Sequence, residues 1–365
     1  MRPLAFSYEQ LPARVVFGPG TRARVPALVD ELEDRGVFLV VDRAARETGD
    51  ELAAALGARL AARWNEAVQH VPVELADRAR TAFDASGAGM VVCVGGGSST
   101  GLAKAIALSH HVPVLAVPTT YAGSEQTTIY GLTGGRHKQT GKHHDVLPKV
   151  VVYDPELTLG LPPAVTGPSA FNALAHSVEA LYAPGHNPVT SALALEGVRA
   201  IHHALPIVMA APGDLPARSE LLFGAYLSGG ALGATAAAMH HKICHVLGGM
   251  FDLVHADTHS VILPHAVAFL GPALPEEMAR LADALGVPGG DPAAALWDLA
   301  VASRVPTTLA ALAHQGAGLG RDDLPEAAAR CAAEITTAPR RVSEADILAL
   351  LERAYDGERP TIDRG

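Results

Sequence analysis

The chain is short of aromatic side chains, of cysteine and of positive charge, and each shortage narrows what it can be. Aromatics make up 5% of its 365 residues, so a core must be filled mainly by Ala, Val and Leu. Its three cysteines, Cys93, Cys244 and Cys331, are odd in number and widely spaced, which implies no disulfide framework. Lysine and arginine fall short of aspartate and glutamate by enough to leave a net charge of −10. That balance argues against a nucleic-acid or anionic-membrane partner, and an anionic substrate would need positive charge supplied locally. No apolar run approaches the length of a membrane span. The opening MRPLAFSYEQLPARVVFG has no signal-peptide core, so the expected location is cytoplasmic.

What is present is enough chain for two ordinary domains. Short β-branched runs occur at 14–17, 37–41, 90–94, 112–117 and 149–154, and the stretches 21–35, 46–62 and 74–87 between them carry helical periodicity. Near-continuous apolar strands separated by helices predict a parallel sheet covered on both faces. Beyond LTLGLP (157–162) the chain turns Ala/Leu-rich with Gly/Pro breaks and no convincing strand pattern. The expected organisation is an α/β N-terminal dinucleotide-binding domain over 1–162 plus an all-α C-terminal domain over 163–365.

Two segments of the first half suggest a nucleotide. In VVCVGGGSSTGLAKAIAL (91–108) a buried strand gives way to Gly95, Gly96 and Gly97 and then to a helix. Glycines let the backbone approach a pyrophosphate, and a helix N-terminus offers N–H donors to it, with Ser98 and Ser99 as candidate caps. A bare tight turn is the alternative. Asp42, directly after the strand VFLVV, stands where an acid bonds a ribose hydroxyl. Arg43 and Arg46 nearby could tolerate a 2′-phosphate, so NADH and NADPH both stay open. The hydroxyl-rich VPTTYAGSEQT (117–127) follows another strand, and Thr119, Thr120, Ser124 and Thr127 could line the same crevice. FGPGTRA (17–23) has Ala23 where a dinucleotide fingerprint needs its third glycine, and reads as a turn.

The second half carries an unusual set of polar residues at helical spacing. Asn172 and His176 are four apart, as are His241 and His245, with His255 ten residues further on. Positions i and i+4 share a helix face, so each pair can point into one pocket. Gathered imidazoles can bind a metal, move a proton or polarise a carbonyl. A lone histidine on an Ala/Leu helix is more often a core residue; four at matched spacing beside a nucleotide loop reverse that preference. His240, His259 and His265 lie off the spacing and are expected to support the set at most. Cys244 is expected to pack.

Taken in order, GGGS, PTT…GSE, YDPELTLGLP and the histidine-rich half resemble the iron-containing (group III) alcohol dehydrogenase family across nearly the whole chain. The resemblance implies a dehydroquinate synthase-like architecture, with the active site in a cleft between the two domains. It implies contacts to NADH or NADPH from Asp42, Gly95, Gly96, Gly97, Ser98, Thr119, Thr120, Ser124, Thr127 and Lys138, with Lys142 a rival for the lysine role. The family's Asp-and-three-His metal ligands match Asn172, His176, His241 and His255, and His245 matches a histidine beside the substrate. Asn172 in place of the carboxylate, and a TT segment one residue shorter, resemble the maleylacetate reductase branch. Its members reduce the double bond of maleylacetate to 3-oxoadipate late in aromatic-ring breakdown.

That branch implies a small dicarboxylate substrate, a homodimer, and catalysis by His245, His241, His176, His255 and Asn172 with no metal required. If a metal is bound, His176, His241 and His255 would hold it. The nearest rival is a metal-dependent alcohol or aldehyde dehydrogenase of the same family. A lyase related to dehydroquinate synthase needs a competent metal site, which Asn172 compromises. A nucleotide sensor without turnover has no use for the histidine set.

Overall fold

A computed structural model describes residues 6–8, 11, 13–33, 35–134, 137–312 and 318–363. Contacts divide the chain into two units: Gln10–Leu161 with Gly213–Leu222 form one, Pro162–Pro212 with Phe223–Gly365 belong to the other.

The first unit is built on a six-stranded, all-parallel sheet. Its strands are β1 (Arg14–Phe17), β2 (Val37–Val41), β3 (Leu60–Trp64), β4 (Met90–Gly95), β5 (Val114–Pro118) and β8 (Val150–Tyr153), in the order β1-β8-β5-β4-β2-β3. The central strands are buried along their whole length, as their β-branched runs demand when helices cover both faces. Helices α1 (Val25–Leu32), α2 (Arg46–Leu56), α3 (Val73–Ser86) and α4 (Gly97–His110) make the crossovers. The expected helix over 46–62 is too long: α2 stops at Leu56, and LAARW (60–64) pairs with β2 as the sheet's edge. A hairpin outside the sheet, β6 (Ile129–Gly134) with β7 (His137–Lys142), had no strand signal in the sequence reading.

The strand order reverses between β2 and β4. From β2 the chain runs outward to β3, then returns to lay β4 on the other side of β2, with Val41 opposite Val94. Ligands of open α/β sheets lie outside the carboxyl ends of the strands at such a switch point. Asp42 and Gly95 both stand there.

The second unit is helical, and no strand occurs in it among the described residues. It comprises α5 (Pro163–Ala180), α6 (Pro188–Ala210), the greater part of α7 (Leu215–Gly233), α8 (Met239–Phe251), α9 (His255–Leu270), α10 (Pro275–Ala284), α11 (Pro292–Ala302), α12 (Leu324–Glu334) and α13 (Glu344–Asp356). Helix α9 packs on both α5 and α8. The tight α8–α9 connection starts at Asp252, which closes α8 in the left-handed conformation at φ 53°. All three cysteines are buried free thiols. No helix among the described residues is long and apolar enough to cross a membrane.

Candidate active site

In the α/β unit the glycine loop is built around Asp42. Its carboxylate accepts N–H bonds from Gly96 at 2.7 Å and Ala45 at 2.8 Å, so it fixes the turn as well as facing it. Gly95 is at φ 137°, and a Cβ there would lie 2.0 Å from Asp42 Oδ2; no other residue fits. A Cβ on Gly96 would meet Thr120 Cγ2 at 3.1 Å, which puts Thr120 directly over the loop.

Neither serine caps α4. Gly96 is the N-cap, no side-chain cap bond forms among the described residues, and Ser99 Oγ instead donates to Gly96 O at 2.9 Å. The first-turn N–H groups are therefore left for another acceptor, the usual basis of an anion site. Ser98 lies within that turn, half-buried.

The hydroxyl-rich loop divides. Thr119 and Thr120 follow β5, and Thr119 N–H bonds Gly95 O at 3.0 Å. Thr127, buried, spends its hydroxyl inside the loop: it donates to Ser124 O at 3.0 Å and accepts from Ile129 N–H at 3.2 Å and Lys104 Nζ at 3.0 Å. Lys138 stands opposite Thr133 on β7, and its side chain lies outside the described residues. Lys142, at the end of the same strand, has its pKa lowered by burial. Arg218, wholly buried, donates to Tyr121 Oη at 3.1 Å and Leu161 O at 3.2 Å, which explains why its segment joins this unit.

In the helical unit the structure brings the four expected histidines into one cluster. His176 and His241 stack with centroids 5.2 Å apart, His241 meets His245 edge-on at 6.0 Å, and His245 stacks on His255 at 5.7 Å. His176 and His241 are buried and His245 and His255 half-buried, and Asn172, buried, lies one turn before His176 on α5.

Three residues beyond the expected set complete the cluster. Glu179, fully buried, accepts from the backbone N–H of Ala238 at 3.0 Å and His241 at 3.1 Å, from Tyr182 Oη at 3.3 Å, and bonds His241 Nδ1. Burial pushes its carboxyl up, but the charge of His241 and these bonds outweigh that and hold it at about 2. His241 is thus fixed by Nδ1 with Nε2 directed away from Glu179. His259 bonds His240 through Nδ1 at 2.8 Å and His255 through Nε2 at 3.1 Å. His240 Nδ1 is buried without a hydrogen-bond partner, so its proton belongs on Nε2, where it reaches His259. His259 in turn donates to His255. Cys244, packed as expected, approaches His240 Nε2 at 3.6 Å.

Burial keeps three of these rings neutral. It lowers His176 and His259 well below the usual histidine value and His240 to about 3, with neighbouring imidazoles pushing the same way. Neutral imidazoles suit a divalent cation, a carboxylate orients His241 beside them, and His176 Nδ1 is buried without a hydrogen-bond partner. The donor chemistry fits. Among the described residues, however, the group whose ligand atoms lie within 4.8 Å of one another is His240, His241 and His259. His176 and His255 are outside it.

Family models match both halves: iron-containing alcohol dehydrogenase over residues 12–155, and the C-terminal region of the Fe-containing alcohol dehydrogenase family over 166–355. Maleylacetate reductase of Sphingobium indicum is 45% identical, covering 98% of this chain and 99% of that protein. The chain belongs to the iron-containing alcohol dehydrogenase family, in its maleylacetate reductase branch. Solved structures of maleylacetate reductases from Agrobacterium tumefaciens and Rhizobium sp. strain MTP-10005 each superpose with TM-score 0.90 at 44% identity, covering 99% of this chain and 100% of theirs. Membership in an iron-containing family gives no support to the expectation that no metal is required.

The spacing of Glu179 is legible in the sequence, since HSVE sets it three residues after His176 on the same helix. His259, four after His255, carried the same signal.

Proposed function

We propose that the protein reduces the carbon–carbon double bond of maleylacetate with NADH or NADPH, giving 3-oxoadipate. The observation that carries this reading is the histidine cluster with His241 anchored on the buried Glu179. The full-length relatives named as maleylacetate reductases supply the substrate.

The substrate is an enone with two carboxylates, open to hydride at the alkene carbon β to the ketone. Hydride from the nicotinamide forms a C–H bond there, the alkene pair shifts toward the carbonyl, and an enolate results. The enolate then takes a proton at its α-carbon, restoring the ketone, so one NADH and one proton are consumed per product. Positioned imidazoles can bond the enolate oxygen and donate that proton. In this proposal His245 is the leading acid, with His241, His176 and His255 as oxyanion or carboxylate partners and Asn172 a neutral donor. Asn172 also avoids the repulsion a carboxylate would exert on a dianion. The glycine loop, Asp42, Thr119, Thr120 and Lys138 serve the cofactor, while Ser98 and Ser124 border its phosphates. A homodimer in the cytoplasm belongs to the same reading, by analogy with the branch.

The donor set favours one second reading, a metal-dependent alcohol dehydrogenase. A divalent cation would be held by His176, His241 and His255 and would supply Lewis-acid polarisation of a carbonyl oxygen. The two readings part when chelator-treated protein is mixed with NADH and maleylacetate and absorbance at the nicotinamide band is followed. Rapid oxidation under chelator supports conjugate reduction by the residues alone. Oxidation only after Zn²⁺ or Fe²⁺ is restored makes the cation essential, and no oxidation in either case removes maleylacetate as substrate.

A further inference from the structure

Lys104 is a lysine with 1% exposure in an Ala-rich stretch of α4, two turns beyond the glycine loop. Its Nζ donates to Ser124 O and Thr127 O at 2.7 Å, to Ile129 O at 2.8 Å and to Thr127 Oγ1 at 3.0 Å. The three backbone oxygens can only accept, and Thr127 Oγ1 directs its own proton to Ser124 O. An ammonium, with three N–H bonds, suits such a cradle; a neutral amine would turn its lone pair on a carbonyl. Burial pulls Lys104 down to about 7, opposed by the charge of Glu125, itself buried and bonded by Tyr153 Oη at 2.7 Å. A cation placed so deeply is costly unless it is fully hydrogen-bonded, as Lys104 is by its bonds to these oxygens.

What they hold is the loop from β5 to β6. Its first residues, Thr119 and Thr120, meet the glycine loop at Gly95 and Gly96; its last, Ser124 to Ile129, close around Lys104. Helix α4 presents the phosphate-facing N–H groups at its N-terminus and the lysine two turns further along, near its middle.

We propose that Lys104 is a positioning residue for the nicotinamide cofactor: it ties the hydroxyl-rich loop 119–129 to the helix whose N-terminus faces the phosphates, so both walls of the nucleotide site keep their spacing. The inference rests on the nucleotide reading of this unit. Lys104 touches neither reactant, and its loss acts on cofactor affinity rather than on the chemical step.

The test compares wild type, Lys104→Met and Thr127→Val for NADH and NADPH dissociation constants by nucleotide fluorescence, for kcat and both KM values, and for thermal unfolding. Folded Lys104→Met should bind the preferred nucleotide at least about tenfold more weakly, with kcat at saturating cofactor and KM for the dicarboxylate within about threefold. Thr127→Val, which keeps the charge and Lys104's three backbone acceptors but removes the hydroxyl's bonds to Lys104, Ser124 O and Ile129 N–H, should shift the same constant by a smaller factor. It decides the matter if Lys104→Met does not fold. Nucleotide affinity within twofold of wild type in the folded variants, whatever their melting temperatures, overturns the role. If wild type binds neither nucleotide, the nucleotide reading itself falls, and Lys104's role falls with it.

Discussion

Glu179 settles what His241 can offer. With Nδ1 held by a fully buried carboxylate, the ring has one orientation and one free nitrogen. Glu179→Gln keeps the size but places an amide against donors that expect an acceptor. Orienting partners of functional histidines are worth about 10- to 100-fold in activity. Steady-state kinetics of Glu179→Gln should therefore show kcat/KM lower by that factor, with KM for NADH unchanged; full activity would mean that His241 needs no anchor. At this scale the histidines were legible because spacing survives in any helix. Lys104 was not, because a lysine on a helix ordinarily lies in water. Only the surrounding carbonyls, drawn from a loop about 20 residues away, reveal it.

Elements were legible where burial is two-sided. The central strands announce themselves as unbroken β-branched runs, whereas β3 is a partly exposed edge whose LAARW sequence looks helical. The β6–β7 hairpin is held by its own ladder and consists largely of Gly, Thr and Lys, so no apolar alternation marks it. The β4–α4 junction depends on one backbone angle. Gly95→Ala would force a Cβ into the Asp42 carboxylate and strain a φ of 137°, costing about 1–3 kcal/mol and the cofactor site with it. Gly97→Ala meets only Ala122 Cβ at 3.6 Å and should leave the melting temperature close to wild type. Equal nucleotide binding by wild type and Gly95→Ala would show that the turn is not set by that angle.

Across the molecule, the neutral histidines make stability depend on pH in one direction. His176 and His259 are held well below the ordinary histidine value, His240 at about 3 and His265 at about 4, mainly by burial. The unfolded chain takes up protons near pH 6.5 while the folded one does not, so this stability is complete above that pH and is lost as pH falls toward the folded values. Each group contributes up to about 1.4 kcal/mol per pH unit in its window. Glu179, at about 2, extends the loss below the ordinary carboxylate range. Thermal unfolding should be nearly flat from pH 7 to 8 and drop steeply from pH 6 to 4; a flat profile down to pH 5 would contradict the neutral state of these four rings. The two-unit organisation puts the glycine loop on one unit and the imidazoles on the other. Where the hydride goes decides between the activities this family fold can host. NADH carrying deuterium at the transferable position, turned over with maleylacetate and followed by NMR of the product, reads that directly. Conjugate reduction places deuterium on the carbon β to an intact ketone; deuterium on a newly formed carbinol carbon would contradict it.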